Sequence, residues 1–382
     1  MGPIGTLALQ AGLIYSLLWV FGAFADLFLP PSLGIGGLAL ALGAILLSPR
    51  RVLMEFPVSF TLLGMIVLVV GSVLWSVDAP ATSATQRALL PATFAIFIAA
   101  GLLTLKDMTD GLLWAIRIAA VVSIVAIILF PEARVHVGVQ SGGQDDYAGW
   151  HGLFNHKNNM MEFFVFAIPT VLIFDKQKLF KWGTLGMIAI LAAGSTSATG
   201  VSSAFFVIIA YVWLQAYRNR HNGDKRDSTL LFLSSVTGAL AVVAIVFASF
   251  ETLTNAYGKD TTLSGRTEIW EAVIDAIFRR PILGHGYAGL FNQEAFSAET
   301  SEIWTQVGFR ASHAHSGVLD LVLQLGIVGL VIFAAMWGSV VWRSWDGMSK
   351  QPDLGIWILC IVSANLLTVS YTHLTLPTTP YV

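Results

Sequence analysis

Two side chains in one long polar interval have the chemistry to handle a substrate that bears both negative charge and hydroxyls. Arg266, in S-G-R-T-E-I-W, carries a permanent charge and paired N–H donors that match a phosphate edge on. His315, in S-H-A-H-S-G-V-L-D, has an imidazole whose ordinary pKa lies near neutrality, so it can take a proton from a hydroxyl. His313 competes for that role, and in a helix the two histidines would point to different sides. Read alone, Arg266 also fits a solvated surface arginine and His315 an interfacial histidine. No carboxylate or third histidine stands near them at metal-ligand spacing. Further basic groups are Arg87, Arg134, and Lys157 beside His156 in G-L-F-N-H-K-N-N. Singly, such residues snorkel from span ends to headgroups; several converging on one cavity would hold a group with two or more negative charges. Ser195 and Ser197, in G-S-T-S-A-T-G, lie between two apolar runs, where hydroxyl-rich backbone lines a wet cavity or simply bonds within packed helices.

The elements that must position these groups are membrane spans. The chain is 55% hydrophobic and 12% charged, about half the charged fraction of a soluble domain, which makes it an integral membrane protein. Its net charge of -2 gives no reason to expect nucleic acid as a partner. The single cysteine, Cys360, excludes an internal disulfide and any thiolate metal cluster. Apolar runs of spanning length are expected near Leu7–Leu29, Leu33–Leu47, Val58–Trp75, Ala88–Leu105, Leu112–Phe130, Met160–Phe174, Gly183–Gly194, Val201–Tyr217, Leu230–Phe250, Gly317–Trp342 and Leu354–Thr368. The first lacks a basic leader and is long enough to cross, so it is expected to be a span and not a cleaved signal.

The fold class expected is all-α: a polytopic bundle forming one membrane domain over residues 1–368, with about 11 spans present and about 12 expected. Lysines and arginines alternate between connections: Arg50 and Arg51, Lys106, Lys176 to Lys181, Arg218 to Arg226, and Arg343 with Lys350. These would be cytoplasmic, leaving Pro131–Asn158 and the large loop Glu251–Ser316 outside. Within that loop Ser264 is a helix cap, Glu268 suits the first turn, and Ile269, Trp270, Val273, Ile274, Ile277 and Phe278 recur at helical spacing. An amphipathic helix is expected there, ended by Pro281 and the G-H-G turn, lying on the membrane or on the outer span ends. From Val369 to Val382 the residues resemble a translated sequencing adapter and break an apolar run, so that tail is expected to be non-native.

No Walker loop, dinucleotide fingerprint, nucleophile elbow or D-x-D motif is present, which removes support for an ATP-driven pump or a metal-dependent sugar-nucleotide transferase. The ordered series G-L-F-N-H-K-N-N, S-G-R-T-E-I-W, P-I-L-G-H-G-Y and S-H-A-H-S-G-V-L-D-L-V-L-Q-L-G-I-V-G-L resembles the O-antigen ligase-related family, most of all its exopolysaccharide polymerase branch. Upstream, W-S-V-D-A-P followed by Arg87 also matches. The resemblance implies glycosyl transfer in lipopolysaccharide or exopolysaccharide biosynthesis at the periplasmic face of the bacterial inner membrane. A polyprenyl (undecaprenyl) diphosphate-linked glycan would be the donor and a glycan or lipid A core the acceptor, among membrane lipids and without metal, nucleotide or other cofactor. On it Arg266 binds diphosphate and His315 orients or deprotonates the acceptor. Two departures stand out: His315–Ser316 where the family usually has His–Asn, and Ala198 where relatives often carry a basic residue, a gap that Arg87 or Lys157 would fill. The rival from another class is a transporter or flippase for a lipid-linked solute, against which the scarcity of charges inside the spans counts.

Overall fold

The computed structural model describes residues 3–21, 38–40, 42–43, 46, 59–140, 143–220, 266–291, 297–308, 310–311, 313–314 and 316–371. The expected span Leu230–Phe250, most of Leu33–Leu47, the start of the large loop, His315 and most of the tail lie outside these residues. The described helices are α1 (Pro3–Val20), α2 (Phe60–Gly71) with a 3-10 turn (Ser72–Leu74), α3 (Ala79–Leu102), α4 (Leu105–Leu129), α5 (Lys157–Phe174), α6 (Lys178–Ser195), α7 (Ala198–Arg220), α8 (Arg266–Arg279), α9 (Ala298–Val307), α10 (Gly317–Gly347) and α11 (Pro352–Tyr371). Among the described residues, four segments are long and apolar enough to cross a membrane: Ala79–Leu102, Leu105–Leu129, Gly200–Asn219 and Gly317–Gly347. Pro3–Leu18, Phe60–Leu74 and Pro352–Asn365 are shorter apolar helices.

Several helices begin earlier than their apolar runs, because capping residues and not hydrophobicity set their starts. The side chain of Asp78 accepts the Ala81 N–H at 2.9 Å, and Pro80 follows in the first turn, so α3 starts at Ala79 and not near Ala88. Arg87 therefore lies inside this helix and not ahead of it. Thr104 likewise accepts the Asp107 N–H at 3.1 Å and starts α4 at Leu105. A second difference is a two-stranded antiparallel hairpin between α4 and α5, β1 (Val135–Gln140) on β2 (Gly143–Ala148), with Val135 opposite Ala148. It interrupts the all-α expectation only in a connection.

The largest buried cluster among the described residues joins α4, α5 and α6 through Ile116, Ala119, Ala120, Phe163, Phe164, Ala167, Ile188 and Leu191, with Phe154 from the segment before α5. On its far side α5 packs on α7 and α11, where the Trp357 indole N–H donates to Thr170 Oγ1 at 2.9 Å. Arg117, inside α4, forms an ion pair with Asp175 at 2.6 Å and lies over the Trp114 and Phe180 rings. A charge in the span is thus matched by the residue that ends α5. Lys176 and Lys181 donate to the last carbonyls of α5, Ile173 and Leu172, the usual use of cations at a helix C-terminus.

Short connections reverse the chain between α3 and α4, α5 and α6, α6 and α7, and α10 and α11. The end of α2 and the starts of α3, α5, α7 and α10 consequently share one side of the bundle. Lys106, Lys178, Arg218 and Lys350 mark the other side.

Candidate functional site

Two polar assemblies occupy the side free of those lysines. The first joins the start of α5 to the α6–α7 turn. His156 is extended and its Nδ1 accepts the Asn158 N–H at 2.9 Å, so its imidazole caps α5. The Lys157 ammonium donates to Thr196 Oγ1 at 3.3 Å, and the Ser197 hydroxyl donates to Asn158 Oδ1 at 2.9 Å. Ser197 also accepts the Gly200 N–H at 3.2 Å and so caps α7, while Ser195 donates to the Ala192 carbonyl and accepts the Ser197 N–H. Both serines are buried. Thr196 takes a left-handed conformation, φ 50°, which lets two residues turn the chain between α6 and α7. The segment after β2 is bonded to the last turn of α6, with the Trp150 N–H on the Gly194 carbonyl at 2.9 Å. Two helix N-termini and one lysine thus meet at a hydroxyl-lined turn, an arrangement suited to anions.

The second assembly is built on a break in α10. At Gly326 the backbone turns to φ 64°, ψ -167°, interrupting a helix that continues on both sides. The freed backbone groups are satisfied by P-I-L-G-H-G-Y, as a membrane segment requires. Leu323 O accepts the His285 N–H and Gln324 O the Gly286 N–H, both at 2.9 Å; Ile327 N–H donates to Pro281 O at 2.9 Å and Val328 N–H to Ile282 O at 3.3 Å. Close contact is possible only because both strands carry glycine at the crossing. A Cβ on Gly326 would stand 2.1 Å from Ile282 O, and one on Gly284, φ 66°, 2.5 Å from Gln324 C. The outer face of this strap is gripped by W-S-V-D-A-P: Trp75 Nε1 donates to Leu283 O at 3.0 Å and the Val77 N–H to His285 O at 2.9 Å. Arg280 ties the same segment to Trp75 O at 3.2 Å and to Glu299. His285 is 1% exposed, with Nδ1 facing Leu323 O at 3.1 Å; burial pushes its pKa below the usual value.

Above this strap α8 and α9 close a small core of Ile269, Val273, Ala276, Ile303, Trp304, Ala314 and Leu323. The expected amphipathic helix is present as α8, but its apolar stripe is split. Ile269 and Val273 are buried, whereas Ile274 and Phe278, at 76%, are exposed. The structure describes Arg266 only as the backbone start of α8. One turn later, Trp270 Nε1 donates to the Ala314 carbonyl at 2.9 Å, and the Ala314 N–H donates to Asp320 Oδ1 at 3.0 Å. His313 is half-buried next to Ala314. Ser316, on the far side of His315, caps α10 by accepting the Leu319 N–H at 3.5 Å.

The structure therefore groups His156, Lys157, Ser195 and Ser197 in one assembly and joins Trp270 of α8 to Ala314, next to His313, in another; the Arg266 side chain and His315 lie outside what it describes. Arg87 is exposed on α3. Arg134 is spent on the carbonyls of Ile127 and Ile128 at the end of α4. Among the described residues no three His, Cys, Asp or Glu side chains gather to hold a metal. Motif reading passed over Asn158, Trp270 and Asp320 as individuals. Trp270 could have been found from its place one turn after Arg266, and Asp320 as an acid in the first turn of a span.

Residues 163–334 match the O-antigen ligase family, which takes in α5 to most of α10 and hence Ser195, Ser197, Arg266, His313 and His315 but not Arg87, His156 or Lys157. The chain is 32% identical over 176 residues to the exopolysaccharide production protein ExoQ of Rhizobium meliloti, covering 44% of this chain and 39% of that one. It is 27% identical over 113 residues to the protein named "Putative polysaccharide ligase" of Rickettsia felis, covering 28% of this chain and 27% of the other. The matched stretch thus spans less than half the length of these relatives. Over residues 163–334, which build the broken helix, the strap beneath it and the α6–α7 turn of the first assembly, this chain is similar to the O-antigen ligase family.

Proposed function

We propose that this chain is a membrane glycosyltransferase, of some eleven or twelve spans, that moves a glycan from a polyprenyl-diphosphate carrier to a sugar hydroxyl at the periplasmic face. The observation that carries the proposal is the bond from Trp270 to Ala314, 2.9 Å long. It ties the helix that opens with Arg266, a candidate diphosphate ligand, to the residue just before His315, a candidate base. The naming of one relative for exopolysaccharide production and of another as "Putative polysaccharide ligase" supports the same substrate class. In this scheme His315 takes the proton of the acceptor hydroxyl, the hydroxyl oxygen bonds to the anomeric carbon, and the bond from that carbon to the diphosphate breaks. Arg266 neutralises the charge that develops on the leaving diphosphate, with Lys157 and Arg87 as further cations and Ser195, Ser197, His156 and His313 as lining groups.

The test is the surface glycan of cells lacking this chain. Accumulated long chains without an acceptor identify a ligase, and single repeat units identify a polymerase. A donor trapped on the cytoplasmic side would favour transport, and a normal glycan after deletion would count against both readings. Complementation with His315→Ala should leave donor binding intact and lower turnover roughly 100-fold or more, as loss of a general base does.

A further inference from the structure

We infer that Asp320 and Trp270 are positioning residues for His315, holding the chain on both sides of it; the inference rests on the role proposed above for that histidine. Ala314, which precedes His315, is 0% exposed and sits among Ile269, Val273 and Leu323. Both of its backbone groups are held by side chains from different elements. Its N–H donates to Asp320 Oδ1 at 3.0 Å, from the first turn of α10, and its carbonyl accepts from Trp270 Nε1 at 2.9 Å, from α8. On the other flank, the Asp320 backbone N–H donates to the Ser316 carbonyl at 2.8 Å. Asp320 thus grips residue 314 with its carboxylate and residue 316 with its main chain.

A carboxylate that is 8% exposed is costly to desolvate. An acid in the first turn of a helix is also favoured by the helix dipole, and that contribution to α10 would be purely structural. What the dipole does not account for is that the Asp320 carboxylate and the Trp270 indole hold the two successive peptide groups on either side of one residue, Ala314, outside the helix. Holding residues 314 and 316 in place fixes the chain on either side of position 315, which suits a base that must meet a hydroxyl within hydrogen-bond reach.

The experiment uses the purified full chain in detergent, with polyprenyl-diphosphate-linked glycan extracted from the deletion strain as donor. Asp320→Ala should lower kcat about 10- to 100-fold with donor KM unchanged, whereas Asp320→Asn, which keeps an accepting oxygen, should stay within about threefold of the parent. Trp270→Phe, which keeps the ring and removes only the N–H, should cost about tenfold. In a His315→Ala background, neither change should lower the residual turnover further, because both act through the histidine. A purely structural role would cost the same in either background and would overturn the inference. So would an Asp320→Asn protein as slow as Asp320→Ala, or a well-folded Asp320→Ala with normal turnover. Should Asp320→Ala not fold, normal turnover in Trp270→Phe would overturn it equally. Normal turnover in His315→Ala alone would remove both the role of His315 and its positioning, whereas a slow His315→Ala beside a normal Asp320→Ala would remove only the latter.

Discussion

Arg266 and His285 show how similar-looking polar residues take different work from their surroundings. Arg266 opens α8 on the side of the bundle that carries both polar assemblies. If it holds a diphosphate, the planar fork matters as well as the charge, so Arg266→Lys should raise donor KM by about 1.5–3 kcal/mol of binding. Steady-state kinetics at saturating acceptor would check this, and an unchanged KM would count against Arg266 as a ligand. His285 lies in a motif yet is sealed under α10, where burial holds its pKa below the ordinary value. The unfolded chain therefore binds this proton first. Stability is full above about pH 6.5 and falls as pH drops toward the folded pKa, by at most about 1.4 kcal/mol per unit. His285→Asn, which can still donate to Leu323 O, should flatten the loss of melting temperature between about pH 6.5 and 5.5 relative to the parent. An equally steep loss in the variant would show that the acid sensitivity arises elsewhere.

At the scale of elements, the organising feature is the interrupted α10. A spanning helix can break only where other groups take over its hydrogen bonds, and the strap of residues 281–286 does so from both edges of the break. The strap in turn carries α8 and α9, whose shared core fixes the residues flanking His315. Gly326→Ala would place a methyl 2.1 Å from Ile282 O at a backbone conformation nearly restricted to glycine. It should cost more than about 3 kcal/mol and abolish transfer by releasing the strap. Loss of the cooperative melt in detergent, together with new protease cleavage between α8 and α10, would register it. A variant with parental melting would mean that the break is dispensable.

For the whole molecule, alternation of the helices separates the chemistry from the basic ends. The two assemblies share one side, while Lys178, Arg218 and Lys350 lie on the other, where the Arg218–Asp353 pair at 2.7 Å joins α7 to α11. The only native thiol, Cys360, is buried, so an introduced cysteine can be read against a quiet background. Ser301→Cys should react with an impermeant maleimide from the periplasmic side, and Ser349→Cys only after the membrane is opened. The reverse order would invert the proposed face.

Hydrophobic runs, alternating basic loops and the order of four short motifs were enough to read a multi-span helical protein and its resemblance to the O-antigen ligase family, because lipid demands long apolar helices whatever their packing. The amphipathic nature of α8 was legible for the same reason, from its period. Helix starts were less so, since Asp78 and Thr104 set them by local hydrogen bonds that an apolar window does not register. What only the tertiary structure decided is which motifs meet. W-S-V-D-A-P and P-I-L-G-H-G-Y pair across some two hundred residues because the strap turns its N–H groups to the freed carbonyls of α10 and leaves its own carbonyls at Leu283 and His285 for Trp75 and Val77. Asp320 is drawn to Ala314, and Lys157 to the turn at Thr196, by hydrogen bonds between segments that no spacing rule connects.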